Sequence, residues 1–468
     1  MIRTIAIKEI KSLLREKKYW IVAVVLLLLF ATALVTSAVN QKQLNKARAE
    51  AQQLSRTEWL GQSPKNPHSA AHFGNFAFRL KTPLSLFDKG LDTYTGSQVF
   101  LEPHKQDDFK FSEAEDADAL VRFGELTPAF ILQTILPLLI IFLSFAAVSK
   151  EREDHTLRLL VGNGTPLQKV VAGKILGNGI VISGLIVLLS LAALFFIPAK
   201  SNEDTMKRFI WILLSYILYA GFITTISVVV SAYSKTSRAS LMKLLSLWML
   251  AVIIVPKVSS NIGSTLYATP SQFEYASLVQ HDVENGLDGH NPLDKRRDAL
   301  LQATLKKYAV DTITKLPVNF DAIAMMESEK YTTEVYRKRI AGVRNIFTKQ
   351  NNVSLLASFI NPYQAVQYCS MALSGTDYAH FIHFQDRAED YRLYFVNTMN
   401  DFMAKHTKSG DWRTKFGTET YKIVEPFEYT TPPLTWSIRH QPVAFISLFV
   451  WLVLSLLFIQ STKRINIA

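Results

Sequence analysis

Six apolar runs decide what this chain can fold into. Tyr19–Ala38, Ala129–Val148, Ile175–Ile197, Phe209–Tyr233, Leu241–Val258 and Pro442–Phe458 each reach or approach the ~20 residues that cross a bilayer. Backbone polar groups find no water there, so each run must be helical. Two long polar segments separate them, Val39–Pro128 and Ser259–Gln441. With 49% hydrophobic and 19% charged residues, the chain is too charged to be membrane-embedded throughout and too apolar, in runs, to be soluble. The expected fold is an all-α polytopic membrane protein with six transmembrane helices.

Charge sets its orientation. Residues 1–18, 149–174, 234–243 and 459–468 hold sixteen Lys and Arg against five acids (Glu9, Glu16, Glu151, Glu153, Asp154). That side carries nearly all of the net charge of +12. Basic residues beside spans mark the cytoplasmic side. Six spans then put both termini in the cytoplasm and leave two large extracytoplasmic insertions, residues 39–128 and 259–441, each long enough to carry its own structure. The excess charge hugs membrane boundaries, where anionic headgroups explain it, so no nucleic-acid partner is expected. The first run is longer than a signal-peptide core, which favours an uncleaved anchor.

Residues 1–18 read as a basic amphipathic helix along the inner leaflet, with Ile2, Ile5, Ile10 and Leu13 on one face and Lys8, Lys11 and Arg15 on the other. In the first insertion, Gln41–Trp59 continues the first span as a helix, and Glu113–Leu120 reads as a short one. The second insertion is mainly helical, over Asp294–Tyr308, Ala322–Ile340 and His380–Lys405. Gly177, Gly179, Gly184 and Gly221 allow close helix packing.

Chemistry inside the chain is sparse. The phosphate loop needs Gly-x4-Gly-Lys-Ser/Thr; the nearest stretch, Gly162–Lys169, fails on spacing and is followed by Val170. No Gly-x-Ser-x-Gly elbow is present. His68 and His72, and His380 and His383, have spacings that share a helix face, but no third ligand stands beside either pair, so no metal site is expected. Cys369 is single, excludes an internal disulfide and reads as structural. The spans hold almost no central charge; Lys243 and Lys257 sit at the ends of the fifth, where they snorkel. This argues against an ion-driven carrier. No catalytic residue and no cofactor are expected in this chain.

What remains is Lys150–Lys174, KEREDHTLRLLVGNGTPLQKVVAGK, a charged stretch wedged between the second and third spans. Its residue pattern fits a helical hairpin under the membrane and equally an ordinary solvated loop. The stretch resembles the signature of the type-2 ABC exporter permeases. There an acidic Glu-Arg-Glu run ends the second span, and a Gly-Thr-Leu step, paired leucines, a proline and a Gly-Lys lead into the third. Here these are Glu151-Arg152-Glu153, Thr156-Leu157, Leu159-Leu160, Pro166 and Gly173-Lys174, with His155 where the family has glycine.

The resemblance implies a permease subunit of an exporter in a bacterial inner membrane, paired with a second permease copy or a related one. It also implies separate ABC ATPase subunits that hold the ATP and Mg²⁺. Glu151, Arg152, Glu153, His155, Thr156, Leu157 and Leu160 are then the expected coupling contacts. The large insertions resemble a subgroup related to the permease of copper-site maturation systems and could receive a periplasmic partner. A membrane-anchored receptor or assembly factor that binds without transport is the alternative.

Overall fold

The computed structural model describes residues 1–106, 126–198, 202–287 and 293–465. It is 77% helical, as an all-α fold requires. Six helices are long and apolar enough to span a membrane: TM1 (Lys17–Leu60), TM2 (Pro128–Glu153), TM3 (Leu167–Leu194), TM4 (Glu203–Tyr233), TM5 (Ser237–Leu266) and TM6 (Pro442–Arg464). Each overlaps one apolar run. TM1 has 44 residues, about 66 Å at 1.5 Å per residue, so its polar half stands well clear of a bilayer core ~30 Å thick. The expected helix Glu113–Leu120 lies outside the described residues.

Two spans carry a proline-induced irregularity. TM2 is π-helical over Ile131–Ile135, just before Pro137, and TM5 over Leu250–Ile254, just before Pro256. Proline has no N–H and its ring crowds the preceding turn, so nearby carbonyls lose their helical donors. Neighbouring side chains supply the missing bonds, as apolar surroundings demand. Tyr219 Oη donates to Gln133 O at 3.0 Å, Trp248 Nε1 to Thr134 O at 3.1 Å, and Asn361 Nδ2 to Ala251 O at 2.7 Å.

The chain's polar connections sort to the two ends of the bundle. At one end lie helix Ile2–Arg15, the connection between TM2 and TM3, the short turn between TM4 and TM5, and the turn Thr462–Arg464. Tyr233 Oη donates to Ser461 O there at 2.9 Å. At the other end the two long polar segments build one body, where the sequence reading had each carrying its own structure. Trp59, Ala77, Val99 and Leu101 of the first pack with Phe384, Phe395, Met399 and Tyr421 of the second in one apolar core. Trp59 Nε1 donates to Tyr421 O at 2.9 Å.

That body holds a three-stranded antiparallel sheet in the order β1 (Asn75–Phe78), β2 (Gln98–Glu102), β3 (Lys105–Gln106), with Asn75 opposite Leu101 and Glu102 opposite Lys105. The sheet is a local exception to the all-α expectation. The second segment is helical as expected, in Gln272–Asn285, Leu293–Lys307, Phe320–Leu356, Pro362–Ser374 and Tyr378–His406.

One part of it departs from a purely external position. Helix Pro362–Ser374 packs between TM4 and TM6, with Ala365 and Cys369 against Phe222, Leu448 and Trp451. Trp451 lies nine residues into TM6, roughly 13 Å below its start, and its Nε1 donates to Ser358 O at 2.8 Å. Small residues such as Ala365 and Cys369 permit this close approach.

Candidate coupling site

The stretch between TM2 and TM3 folds as a hairpin. A short helix, Ser149–Glu153, is followed by Thr156–Gly162, a turn through Asn163–Pro166, and then TM3. The break falls at His155, whose φ of 57° and ψ of 5° are left-handed. A Cβ in that region crowds its own carbonyl, a penalty of about 1–2 kcal/mol for most residues and none for glycine. Here the resembling permeases carry glycine, so the departure at His155 falls on a backbone position where glycine has a steric purpose.

Several of the expected contact residues face inward. Glu151 Oε1 accepts from Lys174 Nζ of TM3 at 2.9 Å, and the same ammonium lies 3.4 Å from Glu9 Oε2. Asn178 Nδ2 adds a bond to Glu9 Oε1 at 3.3 Å. Arg152 donates to Ala232 O at 2.7 Å and to Ser234 O, closing the carbonyls at the end of TM4. Glu153 accepts from Ser237 N at 3.1 Å and from Ser237 Oγ at 2.6 Å, at the start of TM5, where an anion suits the helix dipole. Leu157 is fully buried with Val148, Leu167, Val171 and Val228. Glu151, Arg152 and Leu157 thus serve as anchors within the chain, and the exposed Glu153 adds a tie at the surface. Between them they fasten the end of TM2 to TM3, TM4, TM5 and helix Ile2–Arg15.

Helix Ile2–Arg15 lies directly on TM3. A Cβ at Gly173 would come within 2.7 Å of Ile5 Cβ, and one at Gly177 within 2.7 Å of Glu9 Cβ. Glycines one turn apart thus form the groove that seats the helix. A Cβ at Gly179, Gly184 or Gly221, where close packing is also expected, would meet no neighbouring element within 4 Å among the described residues.

The surface the hairpin leaves to solvent is different. His155 and Thr156 are exposed, Leu160 is half-buried, and Leu159 is 69% exposed between the exposed Arg158 and Leu160. The sequence reading treated Leu159 as one of a pair; the helix turns Leu157 into the core and Leu159 out of it, as residues two apart on a helix must diverge.

The remaining chemical groups are elsewhere and enclosed. Asp377, His380 and Ser437 form a hydrogen-bonded chain, Oδ1 to Nδ1 at 2.5 Å and Nε2 to Oγ at 3.1 Å. All three are at most 2% exposed, so a substrate cannot reach the hydroxyl and the chain serves to tie helix Tyr378–His406 to helix Leu434–His440. Cys369 is fully buried, which makes it inert.

Residues 101–271, which include TM2 to TM5 and the hairpin, match the family described as ABC-2 family transporter protein. The membrane part of the chain is thus similar to an ABC-2 transporter domain. That match supports a multi-pass permease subunit and implies an ABC ATPase partner. Residues 273–430, the larger part of the far-end body, match a domain of unknown function (DUF3526). No curated protein matches the chain.

Proposed function

We propose that this chain is the membrane subunit of an ATP-driven exporter in a bacterial inner membrane. The hairpin end faces the cytoplasm, because the basic residues collect there. The far-end body then lies outside the membrane on the opposite side, available to receive cargo or a partner. ATP and Mg²⁺ belong to a separate ATPase, since this chain has no phosphate loop. A second permease copy covers TM5, only 11% of whose apolar window is buried within the chain.

The observation that carries the reading is the wiring of the hairpin. A single short element, hinged at His155, presents Leu159 outward and holds four span ends inward through Lys174, Arg152, Glu153 and Leu157. An ATPase that docks on His155, Thr156 and Leu159 moves helix Thr156–Gly162 when it closes around ATP. The inward anchors pass that displacement to TM2, TM3, TM4 and TM5 together. Packed interfaces of this kind switch between discrete arrangements and so propagate small shifts over distance.

The test is co-purification with the cognate ATPase in nanodiscs. Leu159→Glu leaves folding intact and weakens the complex by about 2 kcal/mol, some 30-fold, with loss of permease-stimulated ATP hydrolysis. Glu151→Lys, in contrast, lowers the yield of folded protein, because it sets a second cation beside Lys174. Wild-type affinity and stimulation in Leu159→Glu would sink the docking assignment.

A further inference from the structure

Three histidines from different parts of the sequence meet on the far-end body. Side-chain nitrogens of His68, His72 and His104 all lie within 4.8 Å of one another. In sequence the His68–His72 pair has no third ligand beside it; in the fold the turn between β2 and β3 supplies it.

The local folding explains the convergence. Asn66 caps helix Pro67–Ala71 by accepting from His68 N at 3.0 Å, and Pro67 starts the helix. His68 and His72 then stand one turn apart with their Nε2 atoms separated by 3.2 Å. Two nitrogens on one tetrahedral ion, each ~2.0–2.1 Å from it, stand about 3.3 Å apart. His104 follows Pro103 in a two-residue turn and has φ 72°. That is the position where such turns use glycine or asparagine, so a β-carbon is held there against its preference. Strain of this kind collects at functional positions.

The ring orientations are fixed from behind. Asn400 Oδ1 lies 2.9 Å from His68 Nδ1, and Glu329 Oε1 lies 2.6 Å from His104 Nδ1. Both oxygens accept, so both rings carry their proton on Nδ1 and turn an Nε2 lone pair away from the support. Glu329 also accepts from His104 N at 2.6 Å and pairs with the buried Arg392 at 2.8 Å. A carboxylate behind a histidine is the recurrent support of metal-binding imidazoles.

We propose that His68, His72 and His104 bind one divalent transition-metal ion with the ligand preferences of zinc, supported by Asn400 and Glu329. Three imidazoles favour Zn²⁺, Ni²⁺ or Cu²⁺ over the oxygen-seeking Mg²⁺ and Ca²⁺. His72 and His104 are exposed, and His104 and Trp412 border a cavity of about 770 Å³. Three protein ligands with solvent access leave a fourth position for water or an incoming group. The ligands belong to the first insertion, and their supports, Glu329 and Asn400, to the second. The ion therefore fastens the two insertions together at a solvent-accessible point. The proposal stands apart from the permease reading.

The experiment uses the full-length protein in nanodiscs, stripped with a chelator and titrated calorimetrically with ZnCl₂. One Zn²⁺ binds per chain and raises the thermal midpoint. His104→Gly suits the left-handed turn, so the protein stays folded while affinity falls more than the ~10–100-fold expected for losing a supporting contact. Glu329→Gln, which keeps the ligands, loses ~10–100-fold. Absence of stoichiometric Zn²⁺ binding, equal binding by a His68→Ala/His104→Gly double variant, or full competition by Mg²⁺ would each overturn the site.

Discussion

The two ends of the bundle are held together in different ways. The hairpin end has a small apolar cluster and is fastened mainly by polar side chains that reach from one helix terminus to another: Lys174 to Glu151 and Glu9, Arg152 to TM4, Glu153 to TM5. The far end has a broad aromatic core with a fully enclosed ion cluster inside it. There Arg392 joins Glu389 and Glu329 at 2.9 and 2.8 Å, and it also donates to Thr333. Burial alone would weaken the guanidinium's charge; the two carboxylates more than reverse this and raise it. Burial would likewise raise Glu329, and His104 with Arg392 brings it below its usual range. The difference teaches what each end can do. Polar ties between helix ends break and re-form with little loss of apolar contact, which suits a moving part. A buried ion cluster tolerates no rearrangement, which suits a rigid platform.

That contrast is most easily broken at Arg392. Arg392→Leu leaves Glu329 and Glu389 buried without their cation, and such loss of one partner removes roughly 3–5 kcal/mol. The far-end body is expected to unfold or become protease-sensitive while the spans stay helical by circular dichroism. A variant as stable as wild type would show that the cluster is hydrated and that the far end is no more rigid than the other. Lys174→Leu is the matching change at the hairpin end. Its carboxylate partners are partly open, at 14% and 18% side-chain exposure, so the expected loss is smaller, roughly 2 kcal/mol, and local. Helix Ile2–Arg15 should come away from the Gly173–Gly177 groove, read as increased labelling of a cysteine placed at Ile5. If Lys174→Leu destabilises the whole protein as much as Arg392→Leu, the distinction between the ends fails.

The parts of this architecture that the sequence disclosed follow from rules that act locally. Apolar length marked the six spans, and the polar continuation of TM1 was visible as a run of good helix formers. The hairpin was legible through Glu151-Arg152-Glu153 and Pro166, yet the direction each side chain takes was not. Glu151 reads as a surface acid in sequence, yet its partner Lys174 is 23 positions away, and Glu9, which shares that ammonium, is 142 away. Helix Pro362–Ser374 looks like part of an external domain because its composition is mixed; Ala365 and Cys369 pack it against TM4 and TM6, and Asn361 ties its start to the TM5 carbonyl of Ala251 near Pro256. The signal was in the Asn361-Pro362 pair, but only Pro256 gives it a meaning. His104 was invisible for the same reason. No histidine or cysteine stands near it in sequence, and β2–β3 pairing together with Glu329 carries it to His68.

The smallest predicted effect is also the most discriminating, because both ends place a histidine in left-handed backbone. At His155 the residue is exposed and no side-chain bond caps the helix that follows. His155→Gly therefore removes strain and sacrifices little, and the hairpin should gain about 1 kcal/mol. Hydrogen exchange of helix Thr156–Gly162 is the direct readout, with slower exchange expected. His104→Gly relieves the same kind of strain, but it deletes the ring bonded to Glu329, so its gain should be cancelled and the midpoint nearly unchanged without metal. If the hinge at His155 needs strain to move, the glycine variant will be more protected in exchange yet slower in ATP-driven turnover. If it is instead a plain turn, protection will rise and turnover will not change, and the hairpin's mobility must then be sought in Asn163–Pro166.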